Sequence, residues 1–159
     1  MSHIDPLSIP PPQPSPDLDT ERFWRATAEG RLELARCTRC REWHHPPLEN
    51  CRRCAAPTAF EPISGRGTVY SFVVQRQAAV VGYFDRVPYV VAVVELDEQH
   101  GLRLTGRVVD VDFHPNCHDT DGHDDLHSLI GSRVEAELVD LAGGDFRVPV
   151  WRRTGATAR

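Results

Sequence analysis

Two cysteine pairs constrain this chain more than anything else in it: Cys37-x-x-Cys40 and Cys51-x-x-Cys54, which share one internal spacing. Two residues between cysteines let a tight turn aim both sulfurs at one point, with backbone N–H groups helping to hold the thiolate charge. Two such turns facing each other supply four ligands for one tetrahedral metal. A site filled by four thiolates has no position open to a substrate, so this metal is expected to be structural, folding a loop pair too small to bury its own core. Zinc is the default ion, and iron fits the same geometry. Disulfides and redox chemistry are the competing uses. The N-terminus shows no secretory leader, which speaks against an oxidising compartment, and a thioredoxin-type centre needs one pair beside a βαβ pattern that is not found.

Around that site, 159 residues with 40% hydrophobic and 26% charged side chains suit one main core plus a small appendage. No apolar run approaches the roughly 20 residues of a membrane span, and the expected location is cytoplasmic. A formal net charge of −5 argues against a general polyanion binder, because affinity for a phosphate backbone is built from clustered Lys and Arg.

Four regions are expected. Residues 1–16 hold Pro6, Pro10, Pro11, Pro12, Pro14 and Pro16 and form a disordered or surface-draped tail. In 17–35, Asp17, Asp19 or Thr20 caps a helix that carries Phe23, Trp24, Thr27 and Ala28 at helical spacing and stops at Gly30; the alternation of Arg31 to Arg36 then predicts a strand. Phe23 and Trp24 are expected to pack on the body of the protein or on a second protein. Residues 36–60 form the metal ribbon. Its arm, Trp43 to Pro47, includes His44 and His45, which are surplus to four thiolates and are read as arm surface.

Residues 61–153 turn β in character. Strands are predicted over Thr68–Val74, Tyr89–Leu96, Arg103–Val109, Ser132–Val139 and Phe146–Trp151. The nearly unbroken apolar run of the second predicts burial on both faces, Gly106 in the third predicts a bulge or bend, and Pro149 predicts that the last is an edge. Five strands without intervening helices imply a small antiparallel barrel, closed or nearly so, of the OB type. Two connections stand out. Gln75 to Val87 contains Val80, Val81, Tyr83 and Phe84, too apolar for a loop meant only for water; it marks a contact surface or folds back on the barrel. Residues 112–129 hold His114, Cys117, His118, His123, His127 and several aspartates, read as a solvated insertion in preference to a second metal site.

The ordered series Phe23-Trp24, Gly30-x-Leu32, Cys37-x-x-Cys40, Pro46-Pro47, Cys51-x-x-Cys54, Gly65 to Phe72 and Pro88 to Leu96 resembles the family known as domain of unknown function 35. The resemblance implies a mainly β protein with an N-terminal helix, a rubredoxin-like zinc ribbon with Cys37, Cys40, Cys51 and Cys54 as ligands, and a C-terminal five-stranded OB-fold barrel. It also implies a hetero-oligomer with a thiolase-like subunit of the lipid-transfer-protein type, acting on acyl-CoA thioesters, including the retro-aldol chemistry of steroid side chains. In that family the partner usually supplies the catalytic groups. Arg41 stands where a glycine commonly follows the second cysteine, Leu48 stands where a basic residue is common, and 112–127 looks like an insertion.

The first functional expectation is therefore an accessory subunit, with Phe23, Trp24, Val80, Val81, Tyr83 and Phe84 contacting a partner or a substrate channel and no catalytic residue assigned. A nucleic-acid-binding module is the alternative, kept open by Arg36, Arg39, Arg41, Arg52 and Arg53 on the ribbon. An independent enzyme built on Cys117 or the neighbouring histidines lacks a credible order of nucleophile, base and orienting group.

Overall fold

The computed structural model describes residues 9–78, 80–111 and 128–155. The chain enters through a single helix, α1 (Glu21–Ala28). The Asp17 carboxylate accepts the Thr20 N–H at 2.8 Å and the Thr20 hydroxyl at 2.6 Å, shaping the turn from which the helix starts. Phe23, Ala26 and Thr27 form its buried face. Arg31 N–H closes back on the Ala26 carbonyl at 2.8 Å, with Gly30 at φ +83° making the reversal.

Three short strands follow in the order β2-β1-β3: β1 (Glu33–Cys37), β2 (Trp43–His44) and β3 (Thr58–Pro62). β1 is central and antiparallel to both, pairing Arg36 with Trp43 on one side and Cys37 with Thr58 on the other. The second and third of these strands carry no clear period in the sequence, and only the pairing with β1 makes them strands.

The remaining strands are β4 (Arg66–Gln75), β5 (Tyr89–Leu96), β6 (Arg103–Val108), β7 (Arg133–Asp140) and β8 (Arg147–Arg153). They close into a barrel in the order β4-β5-β6-β8-β7, with β7 returning to β4. Closure satisfies the backbone groups that open edges would leave unpaired. Val69, Val94, Leu104, Val134 and Trp151 fill the interior. The helix docks on the barrel through the Trp24 ring, which meets Phe146 edge-on at 5.9 Å. No helix among the described residues is long and apolar enough to cross a membrane.

Four local expectations need correction. The barrel is not wholly antiparallel: β6 and β8 run parallel, pairing Arg107 with Val150 and Val108 with Trp151. β8 is not an edge, since it pairs with β7 as well. Pro149 is tolerated because the β6 pairing begins one residue later, where no proline N–H is missed. The bulge lies in β4 between Val69 and Ser71, and β6 keeps its register through Gly106. Gly106 answers to packing instead, because a Cβ there would stand 2.8 Å from both the Pro149 carbonyl oxygen and Trp151 Nε1. Finally, β5 buries Val90, Ala92, Val94 and Leu96 while Tyr89, Val91, Val93 and Glu95 are only half-buried. The barrel has one inside, so alternate residues face outward however apolar they are.

Candidate metal centre

The two cysteine turns are near copies of one another. Cys37 N–H donates to the Glu42 carbonyl and Arg41 N–H to the Cys37 carbonyl; in the second turn, Cys51 N–H donates to Ala56 and Ala55 N–H to Cys51. Within each turn, backbone N–H groups point at the first sulfur: Arg39 and Cys40 at Cys37 Sγ (3.4 and 3.3 Å), and Arg53 at Cys51 Sγ (3.4 Å). Residues Arg41 (φ +64°) and Ala55 (φ +56°) complete the turns in the left-handed region, so the turn that glycine usually makes is kept by two side chains that rarely adopt it. Arg41 anchors its turn by two guanidinium bonds to Glu61, at 2.7 and 2.6 Å, and Arg36 joins the same carboxylate at 3.2 Å. Those two cations hold the Glu61 carboxyl below its ordinary range, Arg41 contributing most.

The four sulfurs converge. Cys37 and Cys54 lie 3.4 Å apart, Cys40 and Cys51 3.5 Å apart, and all four within 4.8 Å of one another. A tetrahedral ion with metal–sulfur bonds of about 2.3 Å needs sulfurs about 3.8 Å apart, so the cage has the right size. Burial pushes the Cys37 thiol up, but N–H groups of Cys40 and Arg39 together with neighbouring thiols bring it down to about 6. For Cys40 the Glu42 N–H pulls downward, while burial and the crowding thiols of Cys37, Cys51 and Cys54 carry it up to about 12. Four thiolates at this spacing need a cation among them, and binding one releases protons. The cage is closed and thiolate-only, which is the chemistry of a structural ion.

The ribbon is fastened to the barrel by a residue that the sequence did not single out. Gln99, in the β5–β6 turn, accepts the Trp43 N–H at 2.9 Å and donates to the Trp43 carbonyl at 3.2 Å, capping the free side of β2 like one more strand residue. Nothing local to Gln99 foretells this, since its partner lies 56 positions away. The reading of the histidines as arm surface is overturned for the same reason. His44 is buried within β2, and His45 is half-buried facing the Phe23 ring at 6.2 Å, its imidazole held below the ordinary range by burial. The arm lies in the seam between ribbon, helix and barrel, and its ring atoms His44 Nε2 and His45 Nδ1 have no hydrogen-bond partner among the described residues.

That seam opens into a groove of about 640 Å³ between α1, the His45–Pro47 turn, the loop after β4 and the barrel wall. It brings together Phe23, Trp24 and Tyr83. Phe23 is buried against Trp24 (5.0 Å) and belongs to the protein's own core, whereas Trp24 is half-buried. Tyr83 folds back onto Tyr89 at 5.7 Å, while Val80, Val81 and Phe84 of the same loop stand outside the groove, 44–45% exposed. The loop therefore folds back on the barrel through Tyr83 and leaves three apolar side chains exposed. Of the ribbon arginines, Arg36 and Arg41 are engaged with Glu61, and Arg36 also covers the Trp43 ring at 4.6 Å; Arg39, Arg52 and Arg53 are exposed. The His- and Asp-rich stretch 112–127, with Cys117, lies outside the described residues.

Comparison with known proteins follows the same division. Residues 24–61 match the family model for the ChsH2 rubredoxin-like zinc ribbon domain, and residues 60–139 match the ChsH2 C-terminal OB-fold domain. The chain is 31% identical over 139 residues to the 3-oxo-4,17-pregnadiene-20-carboxyl-CoA hydratase alpha subunit of Mycobacterium tuberculosis, covering 87% of this chain and 39% of that one. It thus spans about two fifths of that relative's length. It is 33% identical over 97 residues to a DUF35 domain-containing scaffold protein of Methanothermobacter thermautotrophicus, covering 59% of this chain and 71% of the other. Among solved structures, a chain of the Ltp2-ChsH2(DUF35) aldolase superposes with a TM-score of 0.69 at 28% identity, over 89% of this chain and 98% of that one.

Proposed function

This chain belongs to the ChsH2 family, the DUF35 proteins that join a rubredoxin-like zinc ribbon to an OB-fold, and on that footing we propose that it is the accessory subunit of a thiolase-superfamily complex. The complex makes or cleaves a carbon–carbon bond in an acyl-CoA, as a thiolase or a retro-aldolase, with steroid side-chain thioesters as the leading substrate class. The observation that carries this reading is the near-complete coverage of a chain from the Ltp2-ChsH2(DUF35) aldolase. The ion at Cys37, Cys40, Cys51 and Cys54 is zinc, and its part is to stiffen the ribbon.

In this reading the thiolase-like partner supplies the reacting groups, and this chain supplies surface and shape. The tetrathiolate and the Gln99 clamp hold the ribbon against the barrel, so the groove has fixed walls. Trp24, Val80, Val81, Tyr83 and Phe84 border that groove or project beside it, apolar enough to exclude water where a partner closes over them. The test is to isolate the tagged chain from its native host and identify what comes with it. A thiolase-fold protein at fixed stoichiometry, with acyl-CoA turnover by the pair and by neither alone, is the expected result. Full turnover of a thioester by the metal-free chain on its own would overturn it. For the nucleic-acid reading, two of the five ribbon arginines are already committed to Glu61; weak oligonucleotide binding with a flat salt response is expected.

A further inference from the structure

The structure assigns a second recognition site to this chain: a glycine-floored, tyrosine-walled notch that binds an extended proline segment, filled in cis by Pro10–Gln13. The site joins two surface pieces, the loop after β4 and the β7–β8 turn, neither of which carries a cage cysteine. Two glycines meet the segment where a side chain would collide with its backbone or proline ring, and a third faces the Gln13 side chain. A Cβ on Gly82 would stand 2.5 Å from Pro11 N and 2.7 Å from the Pro10 carbonyl carbon, and one on Gly143 would stand 2.6 Å from Pro10 Cβ. A Cβ on Gly144 would meet the Gln13 side chain, 2.2 Å from its Oε1, a flexible group that can swing aside. Pro11 is buried. Pro12 shares a small cavity with Tyr83 and Tyr89, whose rings lie 5.7 Å apart.

Gln13 Nε2 then donates to the Ala142 carbonyl at 2.9 Å, tying the segment to the β7–β8 turn. Aromatic-lined grooves are how extended proline-rich segments are recognised, here with the Ala142 carbonyl as the acceptor for Gln13, and prolines lose little conformational freedom on docking. The consequence is mechanical. Gly82 sits between Val81 and Tyr83, so a segment seated on Gly82 fixes the backbone that displays Val80, Val81 and Phe84. The strap therefore presets the apolar loop; its use for a partner rests on the reading above, but the docking itself does not.

The test uses the full-length, metal-loaded chain without any partner, so its outcome is independent of whether a thiolase-like subunit exists. In P10S/P11S/P12S/Q13A, amide exchange at residues 80–86 and 142–145 is expected to rise about tenfold or more, while the ribbon and barrel strands keep their protection. A free peptide of residues 9–16, added at millimolar concentration, is expected to slow that exchange again. Gly82→Ala serves as the second variant: its positive-φ strain is present in both backgrounds, so an excess effect in the native background over the released one reports contact with the strap. Unchanged exchange in the quadruple variant, exchange that rises across the whole barrel, or protection that depends on protein concentration and so comes from a second copy would each overturn the proposal.

Discussion

The two cysteine turns differ at one informative pair of positions, and the difference can be measured. Ala55 and Arg41 occupy equivalent places after the second cysteine of each turn, at φ +56° and +64°. A side chain in this region costs about 1–2 kcal/mol relative to a conformation it prefers, because Cβ crowds the following carbonyl. Replacing alanine by glycine removes that cost and returns about 0.4–1 kcal/mol to the freedom of the unfolded chain. Ala55 is exposed, so no packing is lost, and Ala55→Gly is expected to stabilise the metal-loaded protein by about 0.5–1 kcal/mol. That corresponds to a rise of about 1–4 °C in Tm for a chain of this size. Arg41→Gly obtains the same relief but gives up both bonds to Glu61, so its gain is the smaller of the two at low salt. In 1 M salt, where an exposed ion pair is screened, the two variants should converge. Urea denaturation at matched metal content, at both ionic strengths, makes the comparison. If Ala55→Gly lowers stability, or if Arg41→Gly outperforms it at low salt, the strain argument is wrong.

Cys51→Ser opens the cage, and elemental analysis should show loss of the bound ion together with protease sensitivity confined first to residues 36–62. Gly106→Ala places a methyl group against Trp151 and the Pro149 carbonyl, and is expected to destabilise the barrel by about 1–3 kcal/mol in denaturant titrations, with the metal retained. His45 is held neutral by burial, so the folded chain binds fewer protons than the unfolded chain as pH falls through the ordinary value of 6.5. The stability that this provides is present above pH 6.5 and is lost on acidification; His45→Gln should flatten that part of the pH profile, and an imidazole titration by NMR should give a midpoint below 6.5.

The residues that could be read from the chain alone are those whose partners are close in sequence. Cys37, Cys40, Cys51 and Cys54 announce a cage because two residues between cysteines fix where each pair of sulfurs points. The helix from Glu21 is legible from the turn residues ahead of it and its apolar spacing, and the barrel strands from their β-branched runs. Misreadings fall where a residue's meaning depends on something distant. Pro149 reads as an edge until the limited β6 pairing is known, and Gly106 reads as a bulge until Trp151 is placed above it. His44 reads as surface until its pairing with Ala35 of β1 buries it.

By itself, then, the sequence determined the four-cysteine cage, the mainly β class and the order of helix, ribbon and barrel, because spacing and periodicity are properties of neighbours along the chain. Only the tertiary structure decided that the ribbon is clamped through Gln99, that β6 and β8 meet in parallel, and that Pro10–Gln13 lies across Gly82, Gly143 and Gly144. Those contacts join residues tens of positions apart, and their energy is realised only once barrel closure has brought the pieces together.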